Sequence, residues 1–269
     1  MTESALEHWS DAEAYRRYVG RWSAVAAEEF VGWLEVPEDR AWLDVGSGAG
    51  DVTLAILSGA SPASVQAVDL SAGYVAYARQ RVSDQRASFA IDDAQSLETK
   101  PDSSFDAVVS GLALNFVREP ESAVKSMARV ARTGGCVAAY VWDYADQMQL
   151  MRYFWDAVLE LFPESSTVDE AARFPFCNPD GLTRMWESAG LTDIETRAID
   201  VPTVFRDFED FWTPFLGGQG SAPTFAMSLT ETDRSALGSL IGSRLPYHDD
   251  GSIHLIARAW AVRGTVRSA

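Results

Sequence analysis

Three glycines at alternate positions follow a short apolar run in AWLDVGSGAGDVTLAIL, residues 41–57. Gly46, Gly48 and Gly50 present backbone without side chains, and they fall where a buried strand is predicted to turn into a helix. A loop of this kind lets a ligand approach the main chain closely. A dinucleotide, a phosphate group and a nucleoside without phosphates are the three ligand classes to consider.

The residue after the last glycine separates these classes. A dinucleotide-binding loop has the spacing G-x-G-x-x-G/A, whereas this loop has G-x-G-x-G, and Asp51 stands where the last small residue belongs. A carboxylate in the first turn of a helix caps backbone N–H groups, but it repels a pyrophosphate at the same place. No G-K-[S/T] follows, so the P-loop pattern also fails. The pattern favours a nucleoside without phosphates, and a dinucleotide-dependent oxidoreductase stays as a disfavoured alternative.

Acidic residues end the next two predicted strands. Asp69 closes SVQAVDL, residues 64–70, and a carboxylate at this place can accept hydrogen bonds from both ribose hydroxyls. Asp92-Asp93-Ala94 closes the third strand, and one of its two carboxylates is expected to accept a hydrogen bond from an adenine amino group.

The elements that position these residues alternate between strand and helix. Strands are predicted over 41–45, 64–70, 87–92, 105–114 and 134–143, with helices over 51–59, 72–84 and 119–132. A helical segment over 11–34 comes first; helices over 145–163 and 178–191 and strands over 192–205 and 252–264 come last. Nearly all-apolar strands that alternate with helices indicate a parallel sheet covered on both faces.

Composition limits the partners. The 269 residues are 47% hydrophobic and carry a formal net charge of −17, which disfavours nucleic acid and anionic membranes as partners. No apolar stretch is long enough to span a bilayer, and the polar N-terminus is unlike a signal peptide. Cys136 and Cys177 give neither a disulfide framework nor a metal-ligand spacing. We expect a cytoplasmic protein without a metal.

Several motifs in a fixed order carry a family resemblance. LDVGSGAG, AVDLS, IDDAQSL, SFDAVVSGLALNFV and GGCVAAYVW resemble class I S-adenosylmethionine (SAM)-dependent methyltransferases of the small-molecule "type 11" kind, over about residues 40–145. The resemblance implies SAM as the cofactor. It assigns Gly46, Ser47, Gly48 and Gly50 to the methionine and ribose parts, Asp69 to the ribose, Leu70 and Asp93 with Ala94 to the adenine, and Ser110 and Gly111 to the methionine side. Arg21, in YRRYVGRWS, is expected to pair with the methionine carboxylate.

The resemblance also implies the architecture. It predicts a Rossmann-like, doubly wound and mostly parallel seven-stranded sheet with an antiparallel C-terminal strand and a helical lid. Residues 1–269 form one domain in this interpretation. Its parts are an N-terminal segment (1–36), the SAM-binding core (37–145), the rest of the sheet and its helices (146–205 and 249–269) and the lid (206–248).

The lid and the helix at 145–163 are rich in aromatic residues. We expect most of these rings to pack on one another and the others to form apolar walls around a small, partly apolar methyl acceptor. In-line methyl transfer needs a base only when the acceptor is a neutral hydroxyl or a protonated amine. His248 is the candidate base. A SAM-binding protein without methyl transfer, such as a sensor, remains the alternative, and the sequence leaves the oligomeric state open.

Overall fold

A seven-stranded sheet runs through the protein. The computed structural model describes residues 20–217 and 220–267. The strands are β1 (Ala41–Val45), β2 (Ser64–Asp69), β3 (Ala87–Ile91), β4 (Phe105–Gly111), β5 (Ala131–Trp142), β6 (Leu191–Phe205) and β7 (Ile253–Val266). Their order across the sheet is β3-β2-β1-β4-β5-β7-β6.

The first five strands are parallel to one another. Trp42 of β1 lies opposite Val65 of β2 on one side and Ala107 of β4 on the other. β3 extends the parallel sheet beyond β2, and β5 extends it beyond β4. The C-terminal strand β7 is antiparallel and lies between β5 and β6. This arrangement confirms the predicted fold class.

Helices connect and flank the strands. They are α1 (Arg21–Leu34), α2 (Asp51–Gly59), α3 (Ala72–Arg81), α4 (Pro120–Val130), α5 (Gln149–Leu161), α6 (Glu170–Arg173), α7 (Pro179–Ser188), α8 (Phe208–Trp212), α9 (Ser221–Ser228) and α10 (Glu231–Arg244). Local chemistry sets several of their starts. The Ser71 hydroxyl accepts the Tyr74 N–H at the start of α3, and Asn178 caps α7 with proline in its first turn.

The chain divides into two compact units, which we call the sheet unit (Ser23–Val141, Phe176–Ile199 and Ala259–Ala269) and the insertion unit (up to Trp22, Trp142–Pro175 and Asp200–Arg258). The core of the sheet unit is mostly aliphatic. Leu43, Ile56 and Val108 are fully buried there. Burying such side chains contributes about 1.5–3 kcal/mol each, so the sheet is the rigid base for the loops at its edge.

The core of the insertion unit is mostly aromatic. Phe154 stacks on Phe215 with ring centroids 4.6 Å apart, and Phe211 packs edge-on against Phe205 at 5.2 Å. The Trp155 indole N–H donates to the buried Glu170 carboxyl, and burial raises the pKa of Glu170 to about 7. The expectation that most of these rings pack on one another is therefore confirmed for this cluster. No helix in the described part of the chain is long and apolar enough to cross a membrane.

Several element boundaries differ from the predicted ones. The helix predicted over 119–132 ends at Val130, and β5 begins at the next residue, because Ala131 adopts extended backbone and pairs with Phe105. The helix predicted over 145–163 begins only at Gln149, since the Asp143 backbone and side chain first hold a turn through the N–H groups of Met148 and Gln147. Residues 11–19 of the first predicted helix, and Gly218 and Gln219 in the predicted lid, lie outside the described residues.

Candidate cofactor site

The loop after β1 is held against the end of β2. The N–H groups of Gly46 and Ser47 both donate to the Val68 carbonyl, at 2.8 and 2.9 Å. The Gly48 N–H donates to the Asp69 carboxylate at 2.9 Å. These bonds fix the loop at the carboxyl edge of the parallel strands, where open α/β sheets bind their ligands.

The three glycines serve different purposes. A Cβ at Gly46 would lie 2.5 Å from the Ala113 Cβ, so this glycine permits a close approach within the protein. Gly48 has a φ of +51°, and a Cβ added there would meet no described protein atom within 4 Å. Gly50 has a φ of +88° and directly precedes α2. Gly48 is therefore the glycine whose missing side chain leaves space that the protein itself does not fill.

Asp69 holds the glycine loop through one carboxylate oxygen and the start of α3 through the other. Besides the Gly48 N–H, it accepts the Ser71 N–H at 2.8 Å. Burial raises the pKa of Asp69, and the two backbone donors oppose the shift. Each carboxylate oxygen has a second lone pair, so Asp69 can still accept hydrogen bonds from a ligand.

Asp44, inside β1, is the residue that the sequence analysis missed. It is fully buried, and the Thr53 hydroxyl donates to its Oδ2 at 2.6 Å. Burial raises the pKa of Asp44 to about 7; the Thr53 hydrogen bond lowers it, and the charges of Asp69 and Asp51 raise it further. Its Oδ1 has no hydrogen-bond partner among the described residues. The available signal was a charged residue within an otherwise apolar strand.

Two buried hydroxyl groups also lack a hydrogen-bond partner. The Oγ atoms of Ser47 and Ser110 are buried and have no partner in the described part of the chain. Ser110 lies at the site, because its Oγ is 4.0 Å from the position of a Cβ at Gly46. Buried polar groups are normally hydrogen-bonded, so three such atoms near one loop indicate a place for a polar ligand. Gly111, by contrast, permits core packing, since its Cβ would clash with Val52 and Tyr140.

Apolar side chains are exposed at the ends of β2 and β3. Leu70 is 70% exposed and Ile91 is 53% exposed, so apolar surface is accessible beside Asp69 and Asp92. The two acidic residues that follow Ile91 differ. Asp92 is buried and accepts the Thr99 hydroxyl and the N–H of Asp93. Asp93 is half-buried and accepts the Gln95 N–H, so it is the more accessible of the two.

Two of the predicted site residues, Arg21 and His248, belong to the insertion unit. The Arg21 guanidinium is 4.8 Å from the Phe205 ring centroid and pairs with Asp210 at 3.5 Å. His248 is exposed, and its ring centroid is 4.1 Å from that of His254. The roles expected for Arg21 and His248 stay predictions.

A groove of about 380 Å³ lies on the insertion unit. Its lining is formed by Phe208, Trp212, Arg234, Ser235, Gly238, Ser239, Gly242 and Tyr247. The neighbours Phe211 and Trp212 face different ways: Phe211 is fully buried, whereas Trp212 is half-buried and lines the groove.

Known proteins resemble this chain in sequence and fold. A family model described as a methyltransferase domain matches residues 43–139. A demethylmenaquinone methyltransferase of Roseiflexus castenholzii is 29% identical over 169 residues, which cover 58% of this chain and 70% of the relative. A 2-methyl-6-phytyl-1,4-hydroquinone methyltransferase of Synechocystis is 27% identical over 198 residues, which cover 72% of this chain and 60% of the relative.

Solved structures agree on the fold. Phosphoethanolamine N-methyltransferase 2 of Haemonchus contortus, in complex with SAM, matches with a TM-score of 0.58 at 19% identity. The match covers 95% of this chain and 56% of that one. The seven-stranded fold, the glycine loop and the match of a methyltransferase-domain model to residues 43–139 support a class I SAM-dependent methyltransferase.

Proposed function

We propose that the sheet unit binds SAM at the glycine loop through specific residues. The observation that carries the proposal is the set of buried atoms without partners: the Asp44 Oδ1 and the hydroxyls of Ser47 and Ser110. SAM carries an ammonium, a carboxylate and a ribose, which are partners of the kind these atoms lack. A buried carboxylate is stabilised by an opposite charge, so Asp44 would hold the ammonium group.

The other contacts follow the same chemistry. Asp69 would accept the ribose hydroxyls, and Gly48 would lie against the ligand without a side chain. The exposed faces of Leu70 and Ile91 would pack on the adenine ring, with Asp93 and Ala94 at its edge. Arg21 is the proposed partner of the methionine carboxylate.

When bound, SAM supplies a methyl group already activated on a sulfonium. The chain's task is then to hold the acceptor's nucleophilic atom in line with that methyl group and to exclude water. A proton must be removed only from an acceptor that is neutral at oxygen or protonated at nitrogen. His248 stays the proposed base for such an acceptor.

The acceptor proposed for this chain is a small, partly apolar molecule, with electron-rich aromatic rings of the hydroquinone class as the first to test. Support comes from the names of the two relatives, which act on demethylmenaquinone and on a phytyl hydroquinone. The aromatic lining of the insertion-unit groove is compatible with a ligand of this type.

The function is tested by measuring the formation of S-adenosylhomocysteine from SAM with a panel of acceptors. The panel contains a short-chain prenyl hydroquinone, simple phenols and phosphoethanolamine. Turnover with a hydroquinone and not with the amine supports the proposed class. Tight binding of SAM without turnover on any member contradicts the proposed acceptor and favours a non-methylating role.

Asp69→Ala is expected to weaken SAM binding by about 1.5–3 kcal/mol, because the ribose loses a charged acceptor. NAD should bind hardly at all to either protein. Calorimetry with S-adenosylhomocysteine and its 2′-deoxy analogue isolates the ribose contact. The deoxy analogue should bind more weakly than the parent to the wild type, and the difference should shrink in Asp69→Ala. An unchanged difference would show that Asp69 serves only the Gly48 and Ser71 N–H groups.

Trp212→Ala is expected to slow acceptor turnover while SAM affinity stays the same. Trp212 stacks on Phe208 at 6.1 Å and lies over Gly238. Because the ring is only half-buried, we expect a stability loss of about 3 kcal/mol or less. Trp33→Ala, at another half-buried tryptophan, controls for this loss. Equal turnover in the two variants would show that Trp212 does not serve the acceptor.

The expectations that nucleic acid and membranes are not partners stay predictions. So do the cytoplasmic location, the single-domain organisation and the lid role of residues 206–248.

A further inference from the structure

Arg81, at the end of α3, reaches back to the glycine loop across thirty positions of sequence. One guanidinium nitrogen donates to the Ala49 carbonyl at 2.8 Å and to the Asp51 Oδ1 at 2.6 Å. The Arg81 and Asp51 side chains are 21% and 14% exposed, so solvent screens this pair only in part. A single cation therefore ties the last turn of the loop to the first residue of α2.

Three carboxyl groups lie around this loop. The charges of Asp69 and Asp51 both act on Asp44, and each of them opposes its ionisation. The carboxylate of Asp51 pairs with Arg81. Within residues 20–217 and 220–267, neither Asp44 nor Asp69 has an ion-pair partner. Arg81 thus offsets one of the three negative charges in a site that must keep Asp44 ionised to hold a cation.

We propose that Arg81 is a positioning residue of the cofactor site: it fixes the glycine loop through Ala49 and, by pairing with Asp51, reduces the negative charge that the end of the loop presents to Asp44 and its ligand. This inference rests on the proposed SAM site. It adds a residue that does not touch the ligand and acts on it through Asp51 and Asp44.

The two effects of Arg81 have different signatures. Loss of the hydrogen bond to the Ala49 carbonyl should weaken SAM binding at every pH, because the loop is less well ordered. Loss of the charge should move the pH dependence, because an unpaired Asp51 makes Asp44 harder to ionise. If Arg81 had a purely structural role, its loss would weaken SAM binding at every pH but would leave the pH dependence unchanged.

The test is a calorimetric titration of SAM on both sides of pH 7, with thermal melting of each variant. Arg81→Met removes both contacts, and Arg81→Lys keeps the charge. Arg79→Met is the matched control, since Arg79 lies on the same helix and donates to the Phe89 carbonyl instead. Asp44→Asn in the wild-type background identifies the part of the pH dependence that belongs to Asp44.

We expect Arg81→Met to bind SAM about 10- to 100-fold more weakly, the usual range for a lost charged hydrogen bond. The inflection in its plot of SAM affinity against pH should lie about half a pH unit or more above that of the wild type. In Arg81→Lys the inflection should lie close to its wild-type pH. Arg79→Met should change neither the SAM affinity nor the pH of the inflection. Adding Asp51→Asn to Arg81→Met should return the inflection while the affinity stays reduced.

An inflection that stays at its wild-type pH in a cooperatively melting Arg81→Met, or that Asp51→Asn fails to restore, overturns the inference. A wild-type protein that does not bind SAM overturns the proposed function instead, so the two failures are distinguishable.

Discussion

Asp44→Asn is expected to stabilise the unliganded protein and, at the same time, to weaken SAM binding. The pKa of a free Asp is 3.8, whereas that of the fully buried Asp44 is about 7. The folded protein therefore holds this proton more tightly than the unfolded chain. The stability that Asp44 contributes is present in acid and is lost as the pH rises from about 4 through about 7.

The size of the effect follows from the shift. Above pH 7 the buried charge opposes folding, and its removal should raise the free energy of unfolding by about 2–4 kcal/mol. Asn keeps the shape of the side chain and an oxygen that accepts the Thr53 hydroxyl. Near pH 4 this gain in the free energy of unfolding should vanish, because Asp44 is then protonated in the folded state and no buried charge is left to remove. SAM affinity should fall about 10- to 100-fold above neutrality, because the ammonium group loses its charged partner.

Denaturant unfolding at two pH values and calorimetry with SAM measure both halves of this result. Asp106→Asn is the control. Asp106 lies near the start of β4, away from the site residue Ser110 at the end of that strand, and it accepts the Ala41 N–H and pairs with Arg132. That change should lower stability and leave SAM affinity unaltered. If Asp44→Asn lost stability together with affinity above pH 7, Asp44 would be a structural residue with a partner we have not identified.

Gly48→Ala is expected to remove most of the SAM affinity while it lowers the stability by no more than the cost of its positive φ. The added methyl group meets no described protein atom within 4 Å, so it would occupy the space proposed for the ligand. Overfilling a tight contact costs about 1–3 kcal/mol, which corresponds to about a 5- to 150-fold weaker binding. The positive φ at this position adds about 1–2 kcal/mol of folding cost for a residue with a Cβ.

Gly134→Ala is the matched control for backbone strain. Gly134 also has a positive φ, +74°, and also has open space where a Cβ would lie, but it belongs to β5 and to no predicted site. Both variants should therefore melt alike, and only Gly48→Ala should lose SAM binding. Equal SAM affinity in the two proteins would mean that the ligand does not approach the main chain at Gly48.

Most of the architecture was predictable, because it depends on signals within a few residues of one another. The alternation of apolar strands and helices predicted a parallel sheet, and the bounds of β1 and of α2 at Asp51–Gly59 agree with their predicted ranges. The place of Asp51 after the glycines favoured a nucleoside cofactor over a dinucleotide, and the family match to a methyltransferase domain agrees with that choice.

The candidate site was predictable only in part. Gly48 and Asp69 were visible in the sequence, because Gly48 lies in the glycine loop after one predicted strand and Asp69 lies at the end of the next. Their hydrogen bond was not, since it joins residues 21 positions apart. The roles of Asp44 and Arg81 could not be predicted, because they also depend on tertiary contacts. A strand pattern does not reveal an unpartnered carboxylate oxygen, and a helical arginine is normally assumed to face solvent.

The order of the elements, the glycine loop and the acidic residues at the strand ends can be read from the amino-acid sequence, because backbone propensity and apolar periodicity are local properties. The charge state of the site depends instead on how the chain folds. Burial beneath neighbouring elements raises the pKa of Asp44 to about 7, and the return of α3 to the loop brings Arg81 to Asp51. Electrostatic energies depend on distance and on exclusion of water, and both are set by chain segments that are remote in sequence.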